Sequence, residues 1–185
     1  VIGGGQRHQP VEVVDPRTQS VTRKFSTLRG YRGRGVITTA TYEARALGLH
    51  SAQGMMKAAA LAPDAVVLPV DFDEYRRYSR RFKAAVAGIA PHIENRGIDE
   101  IYIDLTGLVD ARGPADDALR WARARELAVA IKAAVKERTA LSCSIAVAPN
   151  KLLAKIASEL DKPDGLTILT PADIATRVRP LAPRK

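Results

Sequence analysis

Gly97-Ile98-Asp99-Glu100-Ile101-Tyr102-Ile103-Asp104 holds the strongest pattern in this chain. Ile101, Ile103 and Leu105 alternate with Tyr102, Asp104 and Thr106, the period of a half-buried β-strand. Carboxylates are poor strand residues, so Asp99 and Glu100 belong at a turn-to-strand junction. The octet alone leaves two readings open. The pair is either a solvated hairpin tip or a set of oxygen ligands for Mg²⁺, which takes one or two protein carboxylates together with substrate phosphates.

The flanking sequence gives that strand its context. Residues 93–98 and 101–105 read as a strand pair around the two acids. Before them, Tyr75, Tyr78, Phe82, Val86 and Ile89 share one helical face, with Arg76, Arg77, Arg80, Arg81 and Lys83 on the rest. After them, a long helix is predicted over 114–136, with Leu119, Leu127, Ile131 and Val135 as its apolar stripe. Arg120, Arg123, Arg125 and Lys132 are its basic positions. A strand over 141–147 follows, then a helix over 151–160 with Asn150 as N-cap and Leu152, Leu153, Ile156 and Ala157 inward. A strand over 166–169 is the last element. The alternation predicts an α+β sheet with helices packed on one face.

The first third is less regular. Gly3-Gly4-Gly5, Pro10, Pro16 and Gly30-Tyr31-Arg32-Gly33-Arg34-Gly35 punctuate it, and Arg7, Arg17, Arg23, Lys24 and Arg29 lie between with little apolar content. A long exposed loop or loose hairpin is expected there. The glycines read as turn formers, since no Gly-x-x-x-x-Gly-Lys-Ser/Thr follows. Residues 36–41 are β-prone and pass into a short helical patch at Tyr42. A helix over 55–61, with Ser51 as candidate cap, and a strand over 66–68 complete this part.

Composition bounds the function. The chain has 185 residues, 46% of them hydrophobic, enough for a real core. Its 29 Lys and Arg against 20 Asp and Glu give a formal charge of +9, which favours a polyanionic partner, nucleic acid first. Simple solubilisation is the alternative reading of that charge. The single cysteine, Cys143, cannot form an internal disulfide, which fits a reducing, cytoplasmic setting. His8, His50 and His92 lack zinc-ligand spacing. No run approaches the ~20 apolar residues of a membrane span, and nothing near Val1 resembles a signal peptide. Val1-Ile2-Gly3-Gly4-Gly5 reads as the end of a strand entering a turn, so a fragment is expected.

Three further motifs suit phosphate. Tyr42-x-x-Arg45 sets a phenol and a guanidinium at helical spacing, and Arg grips phosphate oxygens through paired hydrogen bonds. Asn150-Lys151-x-x-x-Lys155 opens a helix, whose free N–H groups favour an anion. Asp161-Lys162-Pro163-Asp164-Gly165 forms a turn after that helix. Taken singly, each also reads as ordinary surface.

In combination they resemble a family. Gly-Val-Ile-Thr-Thr-Ala-Thr-Tyr-Glu-Ala-Arg (35–45), Gly-Ile-Asp-Glu-Ile-Tyr-Ile-Asp (97–104), Ala-Pro-Asn-Lys-Leu-Leu-Ala-Lys-Ile-Ala-Ser (148–158) and Lys-Pro-Asp-Gly (162–165) are similar, in order and spacing, to motifs of Y-family DNA polymerases. The DinB-like, or polymerase IV, branch is the nearest in kind; it copies past damaged template bases. The resemblance implies a ferredoxin-like palm over 74–172 and a small α/β fingers region over 1–73. Residues 173–185 would begin the linker to a thumb. It implies that Asp99 and Glu100 are catalytic and are two of the ligands of the metals, two Mg²⁺ ions in the complete site, and that Tyr42, Arg45 and Lys162 hold the incoming triphosphate. Thr39 and Thr41 would lie near the nascent base pair. The implied partners are primer–template DNA, deoxynucleoside triphosphates and a replication clamp reached through regions outside this sequence.

The departures count as well. Gly97 stands where the family has serine, Ala146 where it has glycine, and the basic segment near 6–34 is longer than in compact members. The family's Asp-bearing first palm strand does not precede Val1, so little or no activity is expected of this chain alone. Two rival readings stand beside it. A non-catalytic paralogue serving as a DNA or protein interaction module need not keep Asp99, Glu100, Tyr42, Arg45 and Lys162 together. A nucleotidyl cyclase would carry a Gly-Gly-Asp/Glu-Glu-Phe-like hairpin, which Gly97-Ile98-Asp99-Glu100-Ile101 matches poorly.

Overall fold

A computed structural model describes residues 1–3, 8–111, 113 and 116–182. Gly4, Gly5, Gln6 and Arg7 of the first basic tract, the Pro114 start expected for the long helix, and residues 183–185 of the expected linker lie outside them. The chain divides into two units, Val1–Phe72 and Asp73–Lys185. No helix among the described residues is long and apolar enough to cross a membrane.

In the first unit, β1 (Ile2–Gly3), β2 (Val11–Val14), β3 (Val21–Lys24), β4 (Ser26–Thr27) and β5 (Ile37–Thr39) precede α1 (Tyr42–Ala46), α2 (Met55–Leu61) and β6 (Val66–Val67). β1 pairs antiparallel with β5, and β4 with β6. A parallel bridge between Ile2 and Leu68 joins the two ladders. Leu28, Ile37, Leu49, Met55, Ala58 and Val67 form the core beneath them. The tract expected as loop or loose hairpin is a hairpin, β2 on β3, with all its strand residues exposed.

Ser51 does not cap α2. Gly54 holds the N-cap position without a side-chain bond, because the preceding turn is organised by buried Gln53. Its amide accepts from the His50 N–H at 3.2 Å and donates to the Gly48 carbonyl at 3.2 Å.

In the second unit, α3 (Phe72–Ala87) leads to the antiparallel hairpin of β7 (Ile93–Asn95) and β8 (Ile101–Ile103). Then come α4 (Thr106–Asp110), α5 (Asp117–Thr139), β9 (Ile145–Val147), α6 (Lys151–Leu160) and β10 (Leu166–Ile168), with β9 and β10 parallel. Val86, Ala90, Ile131 and Val135 from α3 and α5 form the core. Ile93, Ile101, Ile103 and Ile145 of the two ladders pack against it.

The helix expected over 114–136 runs three residues later at its far end. The Asp116 side chain accepts from the Leu119 N–H and caps it, and Ala140, at φ 59°, ends it. Leu119 is exposed instead of inward, and Ala124, Ala128, Ile131, Val135 and Thr139 are the buried stripe. Leu152, expected inward on α6, is 71% exposed. The strand expected over 141–147 shortens to β9 because its first residues are spent on side chains. The Leu141 N–H donates to Thr139 Oγ1, and the Cys143 carbonyl accepts from Lys132.

The single expected sheet is present as two ladders over one core. In β7–β8, Glu94 opposes Tyr102, and the Arg96 and Asp104 N–H groups donate to the Glu100 and His92 carbonyls. The peptide groups of Ile101 and Ile103 therefore face away from β7. In β9–β10, the Ile145 N–H donates to Gly165 and the Val147 carbonyl accepts from Leu169, which leaves the peptide groups of Ala146 facing away from β10. No strand pairing joins β8 to β9 among the described residues.

Candidate active site

Asp99 and Glu100 lie at the tip of the β7–β8 hairpin, both exposed. Gly97 enters the turn at φ 157°, and Lys83 of α3 donates to the Gly97 carbonyl at 2.6 Å. Nothing in the spacing of Lys83 and Gly97 announces that contact. The Arg96 N–H closes the turn on the Glu100 carbonyl at 3.0 Å. Two carboxylates are thus displayed on a tip fixed from both sides.

Their surroundings differ. Asp99 has no ion pair among the described residues, whereas Glu100 is bonded to Lys155 of α6. Lys151, one turn earlier on α6, is bonded to Glu94 and lies 5.9 Å from the Tyr102 ring. Their sequence suggested an anion at a helix N-terminus; the acids they meet belong to the hairpin. The Glu100 hydrogen bond pushes the Lys155 pKa up, and Lys151 holds the Glu94 carboxyl below its usual range. Asn150 does cap α6, accepting from the Leu153 N–H at 2.9 Å. Asp104 has a structural role, accepting from the Thr106 N–H at 2.9 Å at the start of α4.

Lys162 is placed beyond the other end of α6 and meets Glu159 at 2.7 Å, not Asp99 or Glu100. Its turn is fastened by Lys132 of α5, whose ammonium lies 2.6 Å from Asp164 Oδ1 and 2.9 Å from the Asp164 carbonyl. The same ammonium donates to the Cys143 carbonyl. Sequence patterning made Lys132 one more basic residue of a helix face. Its half-buried place marks it as the residue that sets the turn.

In the first unit, Tyr42 and Arg45 do come together. The guanidinium carbon lies 5.6 Å from the centroid of the Tyr42 ring, and Arg45 Nε donates to the Ala40 carbonyl at 3.0 Å. The terminal guanidinium nitrogens carry no hydrogen bond among the described residues, which suits a phosphate acceptor. Thr41 is the N-cap of α1; its hydroxyl accepts from the Ala44 N–H at 3.3 Å. Thr39 is exposed on β5, opposite Ile2.

A family model described as impB/mucB/samB matches residues 7–159, which takes in Thr39, Thr41, Tyr42, Arg45, Asp99 and Glu100 but not Lys162. The chain belongs to the impB/mucB/samB family. Among curated relatives of this impB/mucB/samB chain, DNA polymerase IV of Methanoculleus marisnigri is 44% identical over 147 residues, covering 80% of this chain and 38% of that protein. DinB from Sulfolobus solfataricus matches with a TM-score of 0.67 at 35% identity, over 76% of this chain and 39% of its own. A Dbh DNA polymerase in an insertion ternary complex matches with a TM-score of 0.67 at 32% identity, over 91% of this chain and 43% of its own. These Y-family likenesses bear out the expected α+β class. The chain spans 37–38% of the length of the first curated relatives it matches.

The donor set fits a hard divalent cation in part. Asp99 and Glu100 offer exposed carboxylate oxygens, the ligand type Mg²⁺ takes alongside substrate phosphates. Among the described residues, no group of three or more His, Cys, Asp or Glu gathers to hold a metal ion. The hairpin tip of this impB/mucB/samB chain thus presents two adjacent exposed carboxylates.

Proposed function

We propose that this chain is the nucleotide- and metal-holding part of a Y-family DNA polymerase that copies past damaged template bases, with a fingers region over 1–73, a palm over 74–172 and the approach to a thumb over 173–185. Asp99 and Glu100 would supply two of the carboxylate ligands to the two Mg²⁺ ions of the complete site. Held there, the metals would supply acidification of the primer 3′-hydroxyl and counter-charge for the pyrophosphate. Arg45 and Tyr42 grip the triphosphate of the incoming deoxynucleotide, and Lys162 stabilises its leaving group. Thr39 and Thr41 border the nascent base pair. Primer–template DNA is held mainly through Lys and Arg on its phosphates, and a replication clamp recruits the parent through other regions.

The observation that carries this reading is the Asp99–Glu100 pair on a turn fastened by Lys83, with Lys155 as counter-charge to Glu100. The outward-facing peptide groups of Ile101, Ile103 and Ala146 suit one more palm strand, which in the proposed parent brings the third carboxylate.

The test is primer extension by the full-length parent with Mg²⁺ and deoxynucleotides. Asp99→Asn is expected to abolish extension, with the melting temperature kept. Wild-type extension by that variant overturns the assignment. The 185-residue chain alone is expected to extend little or nothing; robust extension lost in Asp99→Asn would refute that expectation.

A further inference from the structure

The segment between β1 and β5 holds an open hollow of about 780 Å³, and no site residue assigned above lines it. That volume is within the usual range for ligand pockets, about 300–1,000 Å³. Lys24, Phe25, Arg29, Tyr31, Arg32 and Arg34 are among its lining, and no carboxylate lines it among the described residues. Of the four cations, Arg29 is matched by an acid, Asp64 at 2.6 Å. Lys24, Arg32 and Arg34 have no acidic partner among the described residues. An anion entering this hollow meets three uncompensated positive side chains.

The aromatic groups narrow the kind of anion. Phe25 of the lining is 43% exposed. Tyr31 lies along the glycine loop, its hydroxyl so close that a Cβ on Gly35 would fall 2.4 Å from it. The His8 ring sits 5.8 Å from the Tyr31 ring. Rings beside an Arg-rich hollow form the pattern that stacks unpaired bases while cations track the phosphates. A duplex keeps its base faces hidden, and an acidic peptide gives the rings nothing to stack on.

We propose that this hollow, built by the Lys24–Phe25 strand end and the 29–35 loop, is a binding site for single-stranded nucleic acid, formed by residues other than the Asp99–Glu100 pair. It rests on the DNA-handling reading only for which strand arrives, the unpaired template. Phosphates contact Lys24, Arg32 and Arg34, and a base stacks on Phe25.

The test is fluorescence anisotropy of the 185-residue chain with labelled oligo-dT, with a duplex of equal length and with heparin, without Mg²⁺ or nucleotide. Oligo-dT is expected to bind more tightly than the duplex. Combined Lys24→Gln, Arg32→Gln and Arg34→Gln should weaken oligo-dT binding at least about tenfold and lower the salt slope by about 2, at about 0.7 per phosphate contact on single strands. Phe25→Leu should weaken binding severalfold and leave the salt slope in place. Melting curves confirm folding, and the single Lys24→Gln variant serves if the triple one fails. Unchanged binding by these variants, preference for duplex, or heparin binding that Phe25→Leu weakens equally overturns the proposal. None of these outcomes bears on primer extension through Asp99, so either reading can fail alone.

Discussion

The Lys132 ammonium lies 2.6 Å from the Asp164 carboxylate and also donates to backbone carbonyls of Cys143 and Asp164, tying α5 to the start of β9 and the turn before β10. The side chain of Lys132 is only 20% exposed. Lys132→Met keeps its bulk and removes these bonds. Hydrogen bonds made by charged groups contribute about 2 kcal/mol, so urea unfolding should show a loss of that order. Faster exchange of the Gly165 amide should accompany it. Unchanged stability would mean that water replaces the ammonium without cost.

Gly165 admits no side chain. A Cβ there would fall 2.0 Å from the Asp161 carbonyl oxygen, and that obstacle is backbone, not the tip of a flexible chain. Overpacking typically costs about 1–3 kcal/mol; a backbone clash this close belongs at or above the top of that range. Gly165→Ala is expected to lower the melting temperature more than any substitution among the exposed α6 residues.

Neighbouring positions at the start of α6 should respond oppositely to their hydrophobicity. Asn150→Ala removes a cap bond and should cost about 1 kcal/mol. Leu152→Ala, at 71% exposure, should stay within about 0.5 kcal/mol. Paired urea titrations give the comparison directly. A larger loss at Leu152 would show that something covers it in solution.

Acid should destabilise the second unit. Lys132 lowers the Asp164 pKa, the Thr167 hydroxyl and then Arg177 lower that of Asp161, and the Thr170 hydroxyl lowers that of Asp173. A folded pKa below the unfolded one gives stability that is present above the ordinary carboxylate range and lost as pH falls through the folded value. The melting temperature should therefore fall between about pH 5 and about pH 2, and Lys132→Met should flatten that fall. Lys155 runs the other way. Its raised pKa gives stability present at neutral pH and lost only in the alkaline range.

The order of elements was legible because it rests on local patterns: alternation at 101–105, one helical face from Tyr75 to Val86, and Asn150 as a cap. The short β9 was not, since its missing residues are taken by Lys132 and Thr139, which are remote or side-chain partners that no periodicity records. Leu119 and Leu152 misled for a related reason. Hydrophobicity marks what can be buried, whereas burial also needs a facing element, and the stripe of α5 met its core through Ala124 and Ala128 instead. At the site, the acids and the Tyr42–Arg45 pair were visible by spacing. Lys155 was visible as part of an anion-suited helix start, but its Glu100 partner, 55 positions away, was not.

The β2–β3 hairpin gives no residue to the core, and Val11 faces Lys24 across its base. The chain therefore leaves the unit and re-enters it at one spot, and closing such an excursion costs only a slowly growing, logarithmic entropy. Folding of the unit is nearly indifferent to this hairpin. Apart from Lys24 at its base, it can lengthen, shorten or change its charges without disturbing what lies beneath.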